Sequence, residues 1–305
     1  MQLTKHHGLA NDFLIVLDEL NGPGLVIDGE TAIRLCDRRI GIGADGLIYG
    51  EAPTSGGNVD VVMHLYNADG SRAEMSGNGI RCLGQAVAMA RGVREAVLRI
   101  ATDGGVRRVQ VEASEDLRTA TVSVDMGPAQ PGPLIPDEVA ERLAIFDAAA
   151  EAAMTVESPP PESDPVDDVV EDPVVRTASA RPSRSVTIDM GNPHLVIAVA
   201  DPSEVDLIAE GPWFEQRFAD GINIEFIAAT GPDSLDLRVW ERGAGVTQAC
   251  GTGACAAAHA ANAWGLVGER VLVAMPGGVA EVVLGTTVTL IGPASHVATV
   301  EVRDG

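Results

Sequence analysis

Two glycine-rich turns each begin with a side chain that can move a proton, immediately before a predicted helix. The first turn reads SGNG and begins with Ser76, and the second reads CGTG and begins with Cys250. The first turn of a helix carries unpaired N–H groups and partial positive charge, which stabilise a bound carboxylate and lower the pKa of a thiol. If the two helix ends face each other across a cleft, one group can remove a proton from a substrate carbon and the opposite group can return it. The pair therefore indicates stereochemical inversion.

The two turns belong to a longer internal repeat. Residues 60–79 (DVVMHLYNADGSRAEMSGNG) align without a gap with residues 234–253 (SLDLRVWERGAGVTQACGTG), so that Ser76 falls on Cys250. Further pairs lie upstream, GADGLI with FADGIN and, more weakly, ANDFLIV with MGNPHLVI. One element order thus occurs twice, which predicts two similar lobes that each combine strands with one main helix.

Hydrophobic periodicity places these turns between strands and helices. Residues 59–66 and 235–240 alternate as strands, and apolar residues after each turn recur at helical spacing until Gly92 and Gly265. The second helix is nearly all alanine on one face, so we expect it in the middle of its lobe. Cys82 and Cys255 lie inside the two helices, where packing is their expected role.

The repeat divides the chain into lobes. We expect an N-terminal lobe at 1–117, to which a last strand at 294–305 returns, and a C-terminal lobe at 118–293. An acidic, proline-rich insert at about 148–182 interrupts the second lobe, and its most biased part, 151–173, has the composition of a flexible surface loop. The expected fold class is α/β (α+β), with two pseudo-symmetric lobes.

Composition excludes several classes of function. The 305 residues carry a net charge of −23, which disfavours binding to nucleic acids and to anionic membranes. Lys5 is the only lysine, which disfavours Schiff-base chemistry. The four cysteines lack zinc-site spacing, so we expect no metal and free thiols in a reducing compartment. Without a signal-like N-terminus or a long apolar run, the expected location is the cytoplasm.

Motifs spread over nearly the whole chain resemble the diaminopimelate epimerases. In chain order they are HGLANDF, GADG, YNADGS, SGNGIRC, MGNPH, GINIEF, ERGAGVTQACGTGAC and GPASHV. The resemblance implies interconversion of LL- and meso-diaminopimelate without a cofactor, on a route to lysine and peptidoglycan. It also implies a homodimer whose lobes each wrap a mostly antiparallel sheet around a central helix, with the substrate between the lobes.

The resemblance also implies site residues. Cys250 takes the position of one catalytic cysteine and Ser76 that of the other, and His194 and Glu241 resemble the polar residues that flank the pair. The residues expected to bind substrate are Asn11, Asn67, Gly77, Asn78, Asn192, Asn223, Glu241, Arg242, Gly251 and Thr252.

Two positions depart from the family pattern. Gly46 stands where the family usually has glutamine, and Ser76 stands where it has a cysteine. A serine hydroxyl is a much weaker acid than a thiol, and Cys82 lies six residues further along the helix, facing another direction. Three interpretations of Ser76 stay open: a native serine in an enzyme that still epimerises, a native serine with an altered activity, or a deliberate replacement of cysteine.

Two other functions compete with epimerisation. A lyase or isomerase on the same fold, as in the phenazine-biosynthesis relatives, would use an acidic residue, and the presence of Cys250 and ERGAG speaks against it. A non-catalytic protein that binds an amino acid or a cell-wall precursor would bind its ligand without exchanging the α-hydrogen with solvent.

Overall fold

A computed structural model describes residues 1–54, 58–73, 75–154 and 184–303. The described residues form seventeen strands: Gln2–Gly8 (β1), Asn11–Leu17 (β2), Gly46–Glu51 (β3), Val61–Asn67 (β4), Arg72–Ala73 (β5), Glu95–Thr102 (β6), Gly105–Ala113 (β7), Thr119–Asp125 (β8), Gln130–Pro131 (β9), Ser185–Asp189 (β10), Pro193–Ala198 (β11), Asn223–Gly231 (β12), Ser234–Glu241 (β13), Gly245–Val246 (β14), Arg270–Met275 (β15), Gly278–Val283 (β16) and Thr289–Glu301 (β17).

The helices of these ranges are Asp18–Asn21 (α1), Gly29–Cys36 (α2), Gly77–Ala90 (α3), Asp137–Met154 (α4), Leu207–Glu215 (α5) and Gly251–Ala263 (α6), with a 3₁₀ turn at Pro202–Glu204. None of them is both long enough and apolar enough to cross a bilayer.

The first lobe is a closed barrel around α3. Its strands run in the order β1, β2, β3, β4, β6, β7, β8 and β17, and β17 pairs with β1 to complete the ring. The β2–β3 and β4–β6 pairs are parallel and all the others are antiparallel. Helix α3 contacts strands on every side of this ring, so most of its side chains are buried.

The second lobe repeats this pattern around α6. The strands run β10, β11, β12, β13, β15, β16 and β17, and the β11–β12 and β13–β15 pairs are again parallel. The pair β3–β4, with Tyr66 opposite Leu47, has its counterpart in β12–β13, with Trp240 opposite Ile224. Ile224 lies two residues beyond Ile222, the residue that the alignment of GADGLI with FADGIN matches to Leu47. The predicted two-lobed fold is therefore confirmed.

The two lobes exchange strands where they meet. The first residues of β17 pair with β16 on one side and with β8 on the other, and the remainder of β17 pairs with β1. Correspondingly, β9 follows β8 and pairs with β10 of the second lobe. Residues from both barrels and both central helices join one hydrophobic cluster, which holds the lobes at a defined distance from each other.

The alanines of α6 allow the strands of the second lobe to pack closely around this helix. Residues 254–258 of α6 read ACAAA and are fully shielded from solvent, as expected from the sequence. Because their side chains are short, the strands can approach the helix closely, and close packing maximises dispersion contacts. Cys82 in α3 and Cys255 in α6 pack in the same cluster, as expected.

The predicted strands and helices around the two turns agree with the structure within one or two residues, whereas the last strand, predicted at 294–305, is β17 at Thr289–Glu301. The strands predicted at 59–66 and 235–240 are β4 and β13, and both central helices end just before the glycines expected to stop them. The glycines Gly92 and Gly265 have positive φ angles of 65° and 72°, which favour glycine.

The acidic insert begins within a helix. Helix α4 extends to Met154, so the first residues of the segment predicted at 148–182 are helical. The rest of that segment, including most of 151–173, lies outside the described residues.

Candidate active site

The N-termini of α3 and α6 meet at a pair of glycines. A β-carbon built on Gly77 would lie 2.9 Å from the α-carbon of Gly251, and one on Gly251 would lie 2.8 Å from the α-carbon of Gly77. Only glycine allows this approach, because any larger residue would overlap the facing backbone. The two helix ends, each with unpaired N–H groups, therefore converge on one place.

A cavity of about 890 Å³ opens at this junction. Its wall includes every predicted site residue except His194: Asn11, Asn67, Ser76, Gly77, Asn78, Asn192, Asn223, Glu241, Arg242, Cys250, Gly251 and Thr252. The structure thus brings together residues that are up to 241 positions apart in sequence, from Asn11 to Thr252. Their individual roles stay predictions.

Ser76 and Cys250 occupy equivalent positions as helix N-caps. The Ser76 hydroxyl accepts a hydrogen bond from the Gly79 N–H at 3.0 Å, and the Cys250 sulfur accepts one from the Gly253 N–H at 3.3 Å. Their backbones also match, with φ and ψ of −140° and 119° at Ser76 and −122° and 117° at Cys250. A serine therefore occupies the first turn with the geometry that the cysteine has in the second.

The electrostatic setting of Cys250 differs from the expectation. Burial raises the pKa of this thiol well above its usual value, and the nearby carboxylates of Glu241 and Glu225 raise it further. The hydrogen bonds from Thr252 and the Gly253 amide act in the opposite direction. Helix position alone predicted a lowered pKa, but loss of water and two negative neighbours outweigh it. The protein therefore favours the protonated thiol more than water does.

Glu241 is a second group that can hold a proton beside Cys250. Burial raises the pKa of its carboxyl, while hydrogen bonds with Thr247 and Cys250 lower it. The Thr247 hydroxyl donates to Glu241 Oε1. The carboxyl and the thiol both line the cavity, and each shifts the pKa of the other, so a proton can move between these two neighbouring groups.

His194 lies behind the cavity wall. Its Nδ1 is 2.7 Å from Glu225 Oε1, its Nε2 is 3.0 Å from Asn192 Oδ1, and both His194 and Glu225 are fully buried. Asn192 in turn donates to the Thr252 hydroxyl at 3.3 Å. The sequence placed His194 among the catalytic residues. Its ring lies outside the cavity wall and contacts that wall through Asn192, and the role of His194 stays a prediction.

Glu225 was not identified from the sequence. It lies on β12, where its neighbours are buried and apolar, and burial raises the pKa of its carboxyl although His194 opposes the rise. A β-carbon on Gly253 would lie 2.6 Å from Glu225 Oε1, so the carboxylate packs directly under the first turn of α6. A single charged residue within the apolar run NIEFI is the signal that could have identified it.

Asparagine side chains hold the loops around the cavity. The Asn223 amide group donates to the Pro193 carbonyl at 3.0 Å, and its oxygen accepts from the Arg242 N–H at 2.9 Å. Asn67 donates to the Ser71 hydroxyl at 3.0 Å. Arg242 is exposed and its guanidinium binds the Asp220 carbonyl at 3.0 Å. In the part of the chain that the structure describes, no carboxylate pairs with Arg242, so it can take a ligand carboxylate.

A charged rim on the first-lobe side was also missed. Arg38 lines the cavity and binds Asp12 at 2.6 Å and Asp45 at 2.7 Å, and Asn11 donates to Asp45 at 2.8 Å. Arg38 and Asp45 lie in the segment between α2 and β3, whereas Asn11 and Asp12 begin β2, so local sequence patterns give no sign of their contact. The unusual Gly46 does not line the cavity, and a β-carbon there would lie 2.8 Å from the Tyr66 carbonyl oxygen. The β3–β4 ladder leaves no room for a side chain at this position.

Curated proteins and a family model match the chain over most of its length. The family model "Diaminopimelate epimerase" matches residues 3–131 and 186–297. A diaminopimelate epimerase of Synechocystis is 40% identical over 285 residues, covering 92% of this chain and 90% of the relative. One from Gloeothece citriformis is 38% identical over 308 residues, covering 98% of each chain.

Solved structures share the fold at low sequence identity. A structure described as a predicted epimerase from Pseudomonas aeruginosa has a TM-score of 0.69 at 13% identity, covering 100% of this chain and 99% of that one. A hydroxyproline epimerase from Agrobacterium vitis has a TM-score of 0.64 at 14% identity, covering 98% and 91%. These likenesses establish the two-lobed architecture, while the family model and the curated relatives establish the family. The chain belongs to the diaminopimelate epimerase family.

Proposed function

We propose that this protein interconverts LL- and meso-diaminopimelate by moving the proton of one α-carbon. The observation that carries the proposal is the pair of equivalent N-caps, Ser76 and Cys250, on two helix ends that meet at Gly77 and Gly251. The curated relatives in the same family support diaminopimelate as the substrate, and they do not favour a different racemase or lyase activity.

The converging helix ends suit the α-carboxylate of the substrate. The N–H groups of Gly77 and Asn78 in α3, and of Gly251 and Thr252 in α6, have no intrahelical acceptor because they lie in first turns. A carboxylate that accepts from both helices is stabilised by two partial positive charges, and this stabilisation increases when negative charge builds up on the carboxylate. The α-carbon is then held between the two N-cap side chains.

Cys250 can remove the α-proton. The carbon–hydrogen bond breaks, a sulfur–hydrogen bond forms, and the electron pair left on carbon spreads into the carboxylate at the helix ends. A raised thiol pKa makes the thiolate a stronger base but lowers the fraction of Cys250 that is in the thiolate form. Before the thiolate can act, the thiol must lose its own proton, and Glu241 can accept that proton. His194 and Glu225 hold Asn192 and Thr252 in place beneath it.

Ser76 stands at the position from which a proton would return. Its hydroxyl can donate to the carbanion from the opposite face and must then regain a proton from water. Because an alkoxide is far more basic than a thiolate, we expect this transfer to be slower than the same transfer from a thiol. The distal amino-acid group lies toward Arg242 and the asparagines, where a bidentate arginine contact suits a carboxylate.

Deuterium exchange tests the proposal. LL- and meso-diaminopimelate are incubated separately in D₂O with this chain, with Ser76→Cys and with Cys250→Ala, and NMR follows deuterium at the α-carbon and the ratio of isomers. Exchange with inversion by this chain supports an epimerase that works with serine. Activity in Ser76→Cys alone identifies a silenced epimerase or a deliberate replacement, and the genomic codon at position 76 separates these two. If this chain and Ser76→Cys both bind diaminopimelate without exchanging its α-proton, the proposal is overturned in favour of a binding protein.

We further propose that the protein acts in the cytoplasm as a homodimer on the route to lysine and peptidoglycan. This rests on the family resemblance, and sedimentation of the purified chain tests the dimer.

A further inference from the structure

Arg81 is a fully buried arginine that the proposed chemistry does not use. It lies in the second turn of α3, and its side chain has no exposed surface. Its Nη2 donates to Asn78 Oδ1 at 2.7 Å, whereas within the described residues neither Nε nor Nη1 has a hydrogen-bond partner and no carboxylate pairs with it. Burial lowers the pKa of the guanidinium to about 10, so it is still charged at neutral pH. A buried cation without a counterion is destabilising, which suggests a function that offsets this cost.

Two glycines form the seat of this guanidinium. A β-carbon on Gly8, at the end of β1, would lie 3.2 Å from Arg81 Nη2, and one on Gly292, in β17, would lie 3.2 Å from Arg81 Cζ. Neither glycine has a positive φ, so the backbone conformation alone does not require glycine. A methyl group at either position would press on the guanidinium, which would have to shift by a few tenths of an ångström. These are the glycines of HGLANDF and GPASHV, which the candidate site left unexplained.

Arg81 determines which way the Asn78 amide faces. Arginine only donates hydrogen bonds, so the Asn78 oxygen must turn toward it. The Asn78 NH₂ group then faces the other way, where it donates to the Ala249 carbonyl at 2.9 Å and to Asn11 Oδ1 at 3.1 Å. Ala249 immediately precedes Cys250 and belongs to the other lobe, while Asn11 lines the cavity.

We propose that Arg81 is a positioning residue that, by orienting the Asn78 amide, aligns the Cys250 turn and Asn11 across the junction of the two lobes. The inference rests on the proposed epimerisation for its kinetic readout. Arg81 thus belongs to the functional site although it lies inside the barrel of the first lobe, outside the cavity wall.

A double-mutant cycle tests this role. We expect Arg81→Met to lower kcat/KM by roughly 10- to 100-fold, mainly through kcat, because misaligned groups lose transition-state stabilisation. In an Asn78→Ala background the same change should add less than about 2-fold, since the side chain through which Arg81 acts is gone. The proposal is overturned if the loss of kcat/KM in the double variant equals the product of the losses in the two single variants. It is also overturned if kcat/KM is unchanged in Arg81→Met.

Gln85→Met is the matched control. Gln85 lies one turn further along α3, is equally buried, and binds the carbonyls of Leu117 and Arg118 away from the cavity. A general effect of removing a buried polar group from this helix should appear in both variants as a lower Tm. A loss of kcat of the same size in Gln85→Met would therefore contradict a specific role of Arg81.

A milder variant covers the case in which Arg81→Met does not fold. Gly292→Ala keeps the charge but forces the guanidinium to shift, so kcat/KM should fall by about 3- to 10-fold. Gly285→Ala, where a β-carbon would make only an ordinary contact of 3.5 Å with the Thr287 carbonyl oxygen, should leave kcat/KM unchanged. An unchanged kcat/KM in Gly292→Ala contradicts the proposal.

An NMR measurement separates this inference from the proposed function. The side-chain amide signals of Asn78, assigned by their loss in Asn78→Ala, should exchange slowly with solvent in this chain and rapidly in Gly292→Ala or Arg81→Met. Slow exchange in the variants overturns the positioning role. A chain that shows the expected change in exchange but never turns over diaminopimelate refutes the epimerisation and leaves the role of Arg81 standing.

Discussion

The α-carbons of Gly77 and Gly251 face each other so closely that a β-carbon on either would lie within 2.9 Å of the other. These residues are the first of α3 and α6, and the two N-cap side chains, Ser76 and Cys250, directly precede them. The contact merges two helix N-termini into one positively polarised site. It also fixes the distance between the two groups that would act on opposite faces of a substrate.

Gly77→Ala should disrupt this site. The new methyl group would lie 2.9 Å from the Gly251 α-carbon and 2.8 Å from a Leu290 methyl, so the helix ends must separate. Overpacking of this kind typically costs about 1–3 kcal/mol of unfolding free energy. We expect a lower Tm and a loss of kcat/KM of roughly 100-fold or more. Gly104→Ala, where the nearest atom would be 3.7 Å away, is the control for calorimetry and kinetics. Normal activity in Gly77→Ala would show that the spacing does not matter.

Ser76→Cys should increase turnover. A thiol at this N-cap replaces a hydroxyl that is a much weaker acid, so proton return to the carbanion becomes easier by roughly 10- to 100-fold. Initial rates of interconversion in both directions measure this effect. Cys82→Ala is a suitable control, because burial raises the pKa of that thiol to about 12 and it packs within the core. A Ser76→Cys rate equal to that of the present chain would mean that position 76 does not handle the proton.

The pH dependence of kcat/KM should have a rising limb that extends beyond pH 9. The base form of Cys250 is the thiolate, and burial together with Glu241 and Glu225 raises the pKa of this thiol. Glu241→Gln removes a negative neighbour and should move the rising limb to lower pH, although the maximum rate falls because a proton acceptor is lost. Glu138→Gln, an exposed change, should leave its position unchanged. A limb that moves to higher pH in Glu241→Gln would contradict this electrostatic assignment.

His6 should make the fold sensitive to acid. Burial, with smaller contributions from His296 and His7, lowers the pKa of His6 from 6.5 to about 4. The unfolded chain therefore binds a proton at this residue between pH 6.5 and 4 and the folded chain does not. This difference in proton binding leaves the free energy of unfolding intact above pH 6.5. It then lowers the free energy of unfolding by about 1.4 kcal/mol per pH unit as the pH falls from 6.5 to 4.

Urea unfolding at several pH values checks the His6 prediction. The free energy of unfolding should fall by about 3 kcal/mol more in this chain than in His6→Gln over that range. His259→Gln, at an exposed position, should retain the slope of the parent chain. Parallel curves for the parent chain and His6→Gln would show that His6 is not responsible.

Much of the fold and part of the site were predictable because they depend on local patterns. The alternation at 59–66, the glycine that ends each central helix and the alanines of α6 reflect local geometry and packing that nearby residues determine. The internal repeat predicted that Ser76 and Cys250 would take equivalent positions. The hydrogen bond between the fully buried side chains of His194 and Glu225 was beyond such reasoning, because the two residues come from different strands.

The sequence by itself determined two similar lobes, the N-cap positions of Ser76 and Cys250, and the family to which the chain belongs. Only the tertiary structure decided that the pKa of Cys250 is raised, because desolvation and the carboxylates of Glu241 and Glu225 depend on how distant strands pack. The same reason applies to Arg81, whose seat joins β1 and β17 from opposite ends of the chain. Residues close together in sequence determine turns and helix ends. The charge and solvation of the site depend on contacts between distant residues, which exist only in the folded chain.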